Sequence, residues 1–215
     1  MNKRNILVTV TGPSLTGKSK LANLLAPEGF EELVSTTTRP PREGEIEGVH
    51  YTFVNIDVFK KMSENKQMIE EVVVGKNFYG VSRPALDTVI SKGKNGVAVV
   101  EPNGAQQVAK FCAENNILLH QVFINNPTDI LGQRFKERYE NDKLAKPEVY
   151  LQRLIDMITR EPKEWIEPAY NGKHKYDQVF DSFTPENQHL IVEQIIQAVN
   201  LKLNVKKTVN SKPKF

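Results

Sequence analysis

The sequence predicts an α/β fold in which a parallel sheet is covered by helices and a small β-rich lobe is inserted after the first helix. Three observations carry that prediction. A β-branched run, Ile6-Leu7-Val8-Thr9-Val10-Thr11, leads through the glycine-bounded loop Gly12-Pro13-Ser14-Leu15-Thr16-Gly17-Lys18-Ser19 into residues 20–25, which have helical composition and spacing. From residue 83 onward, strand-length apolar runs alternate with helix-length ones, and right-handed crossovers turn such alternation into a parallel, doubly covered sheet. In between, residues 30–54 break into two short strand-like pieces around a Pro/Gly/Glu loop.

The loop after the first strand matches G-x-x-x-x-G-K-[ST] in the strand–loop–helix context that such a match requires. Successive N–H groups of a loop of this type turn inward, and with the following helix N-terminus they form a positive cup for phosphate oxygens. Lys18 adds a mobile charge, and Ser19 offers a hydroxyl to Mg²⁺. Leu15 stands where many such loops carry another glycine.

In the inserted lobe, Pro40 and Pro41 stiffen the chain between Arg39 and Arg42. Two guanidinium forks held in one neighbourhood suit bidentate grip on a phosphate, although two arginines and a tyrosine on a polar loop are also what a solvated surface looks like. Residues 84–91 read as a helix with Pro84 in its first turn, residues 96–100 as a buried strand, 106–114 as a helix and 117–124 as a further strand. His120 lies within that last apolar strand and reads as a satisfied or edge-facing residue. Residues 127–140 form a helix with Arg134 and Arg138 four apart, hence on one face. A polar stretch, 141–147, interrupts it, and residues 148–158 resume a helix bearing Arg153. Residues 176–181 are the last strand, and residues 185–203 a closing amphipathic helix with Leu190, Ile191, Ile195, Ile196 and Val199 on its core stripe.

Composition bounds the function. A chain of 215 residues with 39% hydrophobic and 26% charged residues is an ordinary globular protein large enough for one substantial core. Nowhere do 18 apolar residues run together, and residues 1–4 lead into a core strand rather than a cleavable signal, so a cytoplasmic address with no membrane partner is expected. The formal charge is +3, but residues 201–215 hold five lysines and no acid, and the remaining 200 residues carry −2. The basic character is a property of a flexible tail, residues 204–215, so no specific nucleic-acid partner is expected. The lone Cys112 reads as a small buried hydrophobe, and His50, His120, His174 and His189 have no metal-ligand spacing. No motif bears on oligomeric state.

Residues Ser35 to Val54 resemble the signature of guanylate kinases, S-x-T-T-R-x-P-R-x-G-E-x-x-G-x-x-Y-x-F-V. The resemblance continues through a short helix at 59–62, Met68-Ile69-Glu70-Glu71 for the family's F-[IL]-E-x, Asn77-Phe78-Tyr79-Gly80 for its N-Y-Y-G, and Gly104-Ala105-Gln106-Gln107 near its Q-G-x-x run. It implies a P-loop kinase fold over residues 1–203, with a core of 1–33 and 83–203, a monophosphate-binding lobe at 34–82, and a helical lid near 134–158. It also implies in-line transfer of the ATP γ-phosphoryl group to GMP or dGMP, with Mg²⁺. Gly12 to Ser19 would hold ATP, with Ser19 on the metal; Arg39, Arg42, Tyr51 and Tyr79 would hold the acceptor phosphate. Glu70 would accept from guanine N1–H and the exocyclic amine, with Ser35 at the carbonyl, and Lys18, Arg134, Arg138 and Arg153 would stabilise the transferring group.

Two departures bear on the base. Val81 replaces a Ser or Thr whose hydroxyl donates to the guanine carbonyl in the family, with Ser82 a substitute only if the strand register shifts. The family's D-x-D becomes Val99-Val100-Glu101, losing one carboxylate and lengthening the other. The stretch from Arg138 to Arg153 is also longer than in the family, so Arg160 competes with Arg153 for the lid position. These departures leave open a kinase of the same fold acting on another, modified-base deoxynucleoside monophosphate, as in viral nucleotide supply. A catalytically silent protein-binding module and a sugar-phosphate kinase are the remaining alternatives. The intact Gly17-Lys18-Ser19 argues against the first, and Glu70, which has no task without a base, against the second.

Overall fold

The computed structural model describes the backbone of residues 5–141 and 147–210 and the side chains of 5–140 and 147–204. Strand β1 (Ile6–Thr11) is buried along its whole length, because it lies at the centre of a five-stranded sheet of order β2-β7-β1-β8-β9. Its partners are β7 (Asn95–Val99) and β8 (Leu118–Ile124), with β2 (Phe30–Glu32) and β9 (Gln178–Phe180) at the edges, and every pairing is parallel. A parallel sheet needs cover on both faces. The period-two alternation of β1 sends Ile6, Val8 and Val10 to one layer, where α1 (Lys18–Leu25) and α8 (Gln188–Asn210) pack through Leu21, Leu25, Ile191, Ile195 and Val199. Leu7 faces the opposite layer, with Leu86 and Val89 of α3 (Arg83–Ser91) and Val108 and Cys112 of α4 (Pro102–Glu114).

A second sheet of order β4-β3-β6-β5 lies within residues 36–82 and is built from β3 (Thr36–Thr37), β4 (Thr52–Phe53), β5 (Met68–Val74) and β6 (Asn77–Ser82). Strands β5 and β6 form a hairpin whose turn begins at Gly75, at φ +61°. The outer edge of β5 is covered by one amide: Gln107 accepts from the Glu71 N–H and donates to the Glu71 carbonyl, both at 3.1 Å, as a neighbouring strand would.

Several boundaries differ from the sequence reading. The first strand-like piece of residues 30–54 divides, residues 30–32 joining the main sheet and residues 36–37 the small one. The short helix near residue 59 runs as α2 (Ile56–Glu64), because the Asn55 side chain accepts from the Val58 N–H at 2.8 Å. Ser82 is no substitute donor for a base: it is buried and accepts from the Ala85 N–H at 3.3 Å as the N-cap of α3. Leu190 is 55% exposed and leaves the core stripe to Ile191, Val192, Ile195 and Val199. The backbone of α8 continues to Asn210, so residues 204–210 of the basic tail are helical, while residues 211–215 lie outside the described residues. So does nearly all of the polar interruption at 141–147, which separates α5 (Thr128–Asn141) from α6 (Pro147–Glu161). A five-residue π-helical turn, Pro162–Ile166, and the short α7 (Glu167–Tyr170) follow. His120 is buried and pairs through Nε2 with Gln178 Oε1 at 2.8 Å, holding β9 to β8. Among the described residues, no helix is long and apolar enough to cross a membrane.

Candidate active site

The loop after β1 is shaped by backbone demands that its residues meet. A Cβ on Gly12 would stand 2.0 Å from the Ile124 carbonyl oxygen, so only glycine lets the chain pass beside β8. Gly17 caps α1 at φ +99°, and Leu15 adopts φ +65°, a conformation that a glycine would occupy without strain. The loop is then braced from outside. Asn126 donates to the Thr16 carbonyl at 3.0 Å and accepts from the Phe183 N–H at 2.8 Å, both bonds buried. Arg134 donates through Nη1 to the carbonyls of Leu15 and Thr16, both at 3.0 Å, and through Nη2 to that of Phe183 at 2.8 Å. Arg134 is therefore docked on the loop.

Lys18 folds back inside this frame. Its Nζ donates to the carbonyls of Gly12 at 2.8 Å and Pro13 at 2.7 Å. Burial pulls its ammonium down to about 8, against the opposing charges of Glu161 and Glu101. A cavity of about 520 Å³ opens here, bringing together Ser14, Lys18, Ser19, Arg134, Arg138 and Arg153. Arg160 takes no part in it: it lies over the Trp165 ring at 5.2 Å and faces Asp156 at 3.8 Å. A neighbouring cavity of about 550 Å³ runs from Gly17 and Lys20 past Ile130 to Phe183 and Pro185, just beyond β9.

The small sheet carries a third cavity, of about 280 Å³, lined by Ser35, Tyr51, Glu70, Tyr79 and Glu101, with Val72, Val99, Asn103 and Gly104 among its walls. The Glu70 side chain is buried, and Oε1 accepts from the Val81 N–H at 3.1 Å. Burial pushes its carboxyl up to about 7, beyond what the Val81 bond recovers. Val81 does not line the cavity; its side chain joins the buried cluster with Leu33, Ile69 and Val100, and it acts only through its backbone. Burial also raises Glu101, which caps α4, against the pull of Arg160 and Lys18.

Of the four residues expected to grip a phosphate, Tyr51 and Tyr79 line this cavity, whereas Arg39 and Arg42 do not and are tied to Glu45 beside it. Arg39 lies over the rings of Tyr51 at 5.4 Å and Phe53 at 5.9 Å, beside the Tyr79 hydroxyl, and Tyr51 meets Tyr79 edge-on at 6.0 Å. The Arg42 N–H donates to Glu45 Oε2 at 2.7 Å, and its side-chain charge acts on Glu45 and Tyr51. Three polar residues of the site escaped the sequence reading: Glu45, Asn126 and Glu161. Glu45 sits inside a motif that was read for its arginines. The other two meet the loop from 110 and 147 residues away, and no local pattern marks them.

The family model for guanylate kinase matches residues 3–165. The guanylate kinase of Chlamydia abortus is 30% identical over 164 residues, 74% of this chain and 78% of the relative. That of Brucella melitensis is 31% identical over 205 residues, 93% of this chain and 86% of the relative. In fold, the chain is similar to the crystal structure of guanylate kinase from Anaplasma phagocytophilum, with a TM-score of 0.62, 24% identity, and coverage of 94% and 87% of the two chains.

Proposed function

The chain belongs to the guanylate kinase family, and from that premise we propose that it transfers the γ-phosphoryl group of ATP to GMP or dGMP, giving ADP and the nucleoside diphosphate. One observation carries the reading: a buried carboxyl, Glu70, forms the wall of a base-sized slot whose mouth holds Tyr51 and Tyr79, with Arg39 against them. A carboxylate is acceptor-only, so it selects a base edge presenting two donors, as guanine does with N1–H and its amine. The arginines and phenols then suit a doubly charged monophosphate.

In-line transfer needs alignment, exclusion of water and neutralisation of developing charge rather than a base, because the acceptor phosphate is already anionic. Gly12 to Ser19 supply amides and Lys18 to the triphosphate, and the cavity past Phe183 and Pro185 takes adenine. Arg138 and Arg153, carried by the lid near 134–158, face the same cavity and stabilise the transferring group. Arg134 keeps the loop in shape through its carbonyls.

Among the described residues no cluster of three or more His, Cys, Asp or Glu forms a metal cage. The Ser19 hydroxyl at the phosphate cavity fits the alternative, one protein oxygen with the remainder from phosphates and water. Ser19 would hold Mg²⁺, which would supply neutralisation of the phosphate charge.

The base is the point on which a second reading stands. The slot wall formed by Val72 and Val99 is apolar, and the hydroxyl donor that the family places after Tyr79-Gly80 is missing, as fits an altered or modified base. The deciding experiment is ADP release from ATP with GMP, dGMP, dAMP, dTMP, dUMP and modified-base monophosphates. Guanine preference is the outcome expected; a pyrimidine preference overturns the role given to Glu70, and no release with any acceptor leaves a silent module.

A further inference from the structure

We propose that Glu161 is a positioning residue that pins the end of lid helix α6 to the phosphate loop and so fixes where Arg153 stands over it. The proposal rests on the reading of that loop as the ATP site. Glu161 is the last residue of α6 and is 2% exposed. Both of its carboxyl oxygens are used on one loop residue: Oε2 accepts from the Ser14 N–H at 3.0 Å and Oε1 from the Ser14 hydroxyl at 2.6 Å.

A buried carboxyl is costly unless hydrogen bonds compensate it. Here the hydrogen-bond compensation of Glu161 comes from Ser14, with the Lys18 charge acting on it without a direct bond. The winding of the chain changes directly after Glu161. Pro162 has no N–H to continue the α-ladder, and the next turn closes instead with the Glu167 N–H on the Pro162 carbonyl, a π-type bond.

The other end of α6 is held differently. Tyr150 packs edge-on against Tyr139 at 5.0 Å and Phe135 at 6.0 Å, and donates to the Arg138 carbonyl at 3.3 Å, so the first turn of α6 leans on α5. Arg153 lies between these two anchors, roughly 12 Å along the helix from Glu161 at 1.5 Å per residue. Between them α6 has little else to hold it, for Leu151 and Ile158 are exposed. Loss of the Glu161 pin therefore leaves α6, and with it Arg153 three residues beyond Tyr150, held from one end alone.

The test is a double-mutant cycle on the full chain with Arg153→Ala and Glu161→Ala, read both in the dissociation constant of mant-ATP and in kcat with GMP. Arg153→Ala is expected to weaken mant-ATP binding about tenfold in the wild-type background, the loss of a charge-assisted contact, and less than about twofold once Glu161 is alanine. Glu161→Gln keeps an acceptor for the Ser14 N–H and is expected to restore most of the sensitivity to Arg153→Ala, a rescue that a merely structural role would not predict. If Glu161→Ala fails to fold, Ser14→Ala removes the hydroxyl contact alone and should cut that sensitivity at least threefold. Equal Arg153→Ala effects in all backgrounds, with mant-ATP bound by the wild type, overturn the pin alone. Absence of mant-ATP binding by the wild type overturns both the pin and the reading of the loop, whereas failure on GMP with ATP still bound touches only the acceptor.

Discussion

Glu45 holds Arg39 by both carboxylate oxygens, Oε1 at 2.7 Å from Nη2 and Oε2 at 2.9 Å from Nη1. Arg39 first, and then the Arg42 N–H, draw the Glu45 carboxyl down to about 2, so the pair is intact at every pH at which the protein would be assayed. The fork is thus held in orientation by Glu45, and with Nη1 also donating to the Pro40 carbonyl at 2.8 Å it has at most two of its five donors left for a phosphate. Glu45→Ala is expected to raise KM for GMP about tenfold, the loss of one well-aligned charged contact, with KM for ATP unchanged. Steady-state kinetics with each substrate varied in turn checks this, and an unchanged KM for GMP would sink it.

The raised carboxyl of Glu70 makes acceptor binding depend on pH. Its folded-state value, about 7, lies above the ordinary one because burial disfavours the anion, so the acceptor-only form is present above pH 7 and is lost as pH falls through it. kcat/KM for GMP should fall up to about tenfold per unit below pH 7 and level off above. Because the acceptor phosphate also titrates nearby, the control is Glu70→Gln, whose profile should lack the Glu70 step and whose value at pH 8 should be about a hundredfold lower.

Gly104 gives Glu70 its room. A Cβ at this position would stand 2.9 Å from Glu70 Oε2 and 3.3 Å from Val100 Cβ. Gly104→Ala gains roughly 1 kcal/mol of helix propensity in α4, offsetting the crowding, so its melting temperature should change little. The displaced carboxyl should nevertheless raise KM for GMP about tenfold, on the scale of one hydrogen bond to a charged group. A large drop in melting temperature with unaltered KM would mean that the glycine serves packing alone.

Lys18 titrates the other substrate. Burial brings it down to about 8, so its charge is complete below that pH and is lost as pH rises through it. kcat/KM for ATP should be flat to pH 8 and fall by up to tenfold per unit above, on a profile reporting the free protein. Lys18→Ala should remove turnover by at least about a hundredfold while GMP binding, followed by calorimetry, stays within about twofold. Unchanged turnover would take the loop out of the mechanism.

The parts legible in the sequence are those whose chemistry repeats along the chain. Strand β1, its loop and the start of α1 follow from β-branched residues and two glycines; the parallel direction of β7, β1 and β8, though not their order, follows from alternation. Arg39, Tyr51, Glu70 and Tyr79 are singled out in the sequence by the resemblance of their segments to the guanylate kinase signature. What escaped depends on distant encounters. Arg134 reads as a lid arginine, yet its donors go to the carbonyls of Leu15, Thr16 and Phe183, bare acceptors that a guanidinium fork satisfies. Val81 reads as a base contact from its place in the strand, but an apolar side chain at that depth goes to Leu33 and Ile69. Glu161 is one acid on a helix of mixed charge, and only its two bonds to Ser14 reveal where it points.

The cavity at Lys18 and the cavity at Glu70 have no lining residue in common. Each cavity thus has walls of its own, and filling one uses no residue of the other. Addition in either order is the expected outcome, checked by whether ATP and the monophosphate each bind the free protein in calorimetry; binding of one only after the other would overturn it.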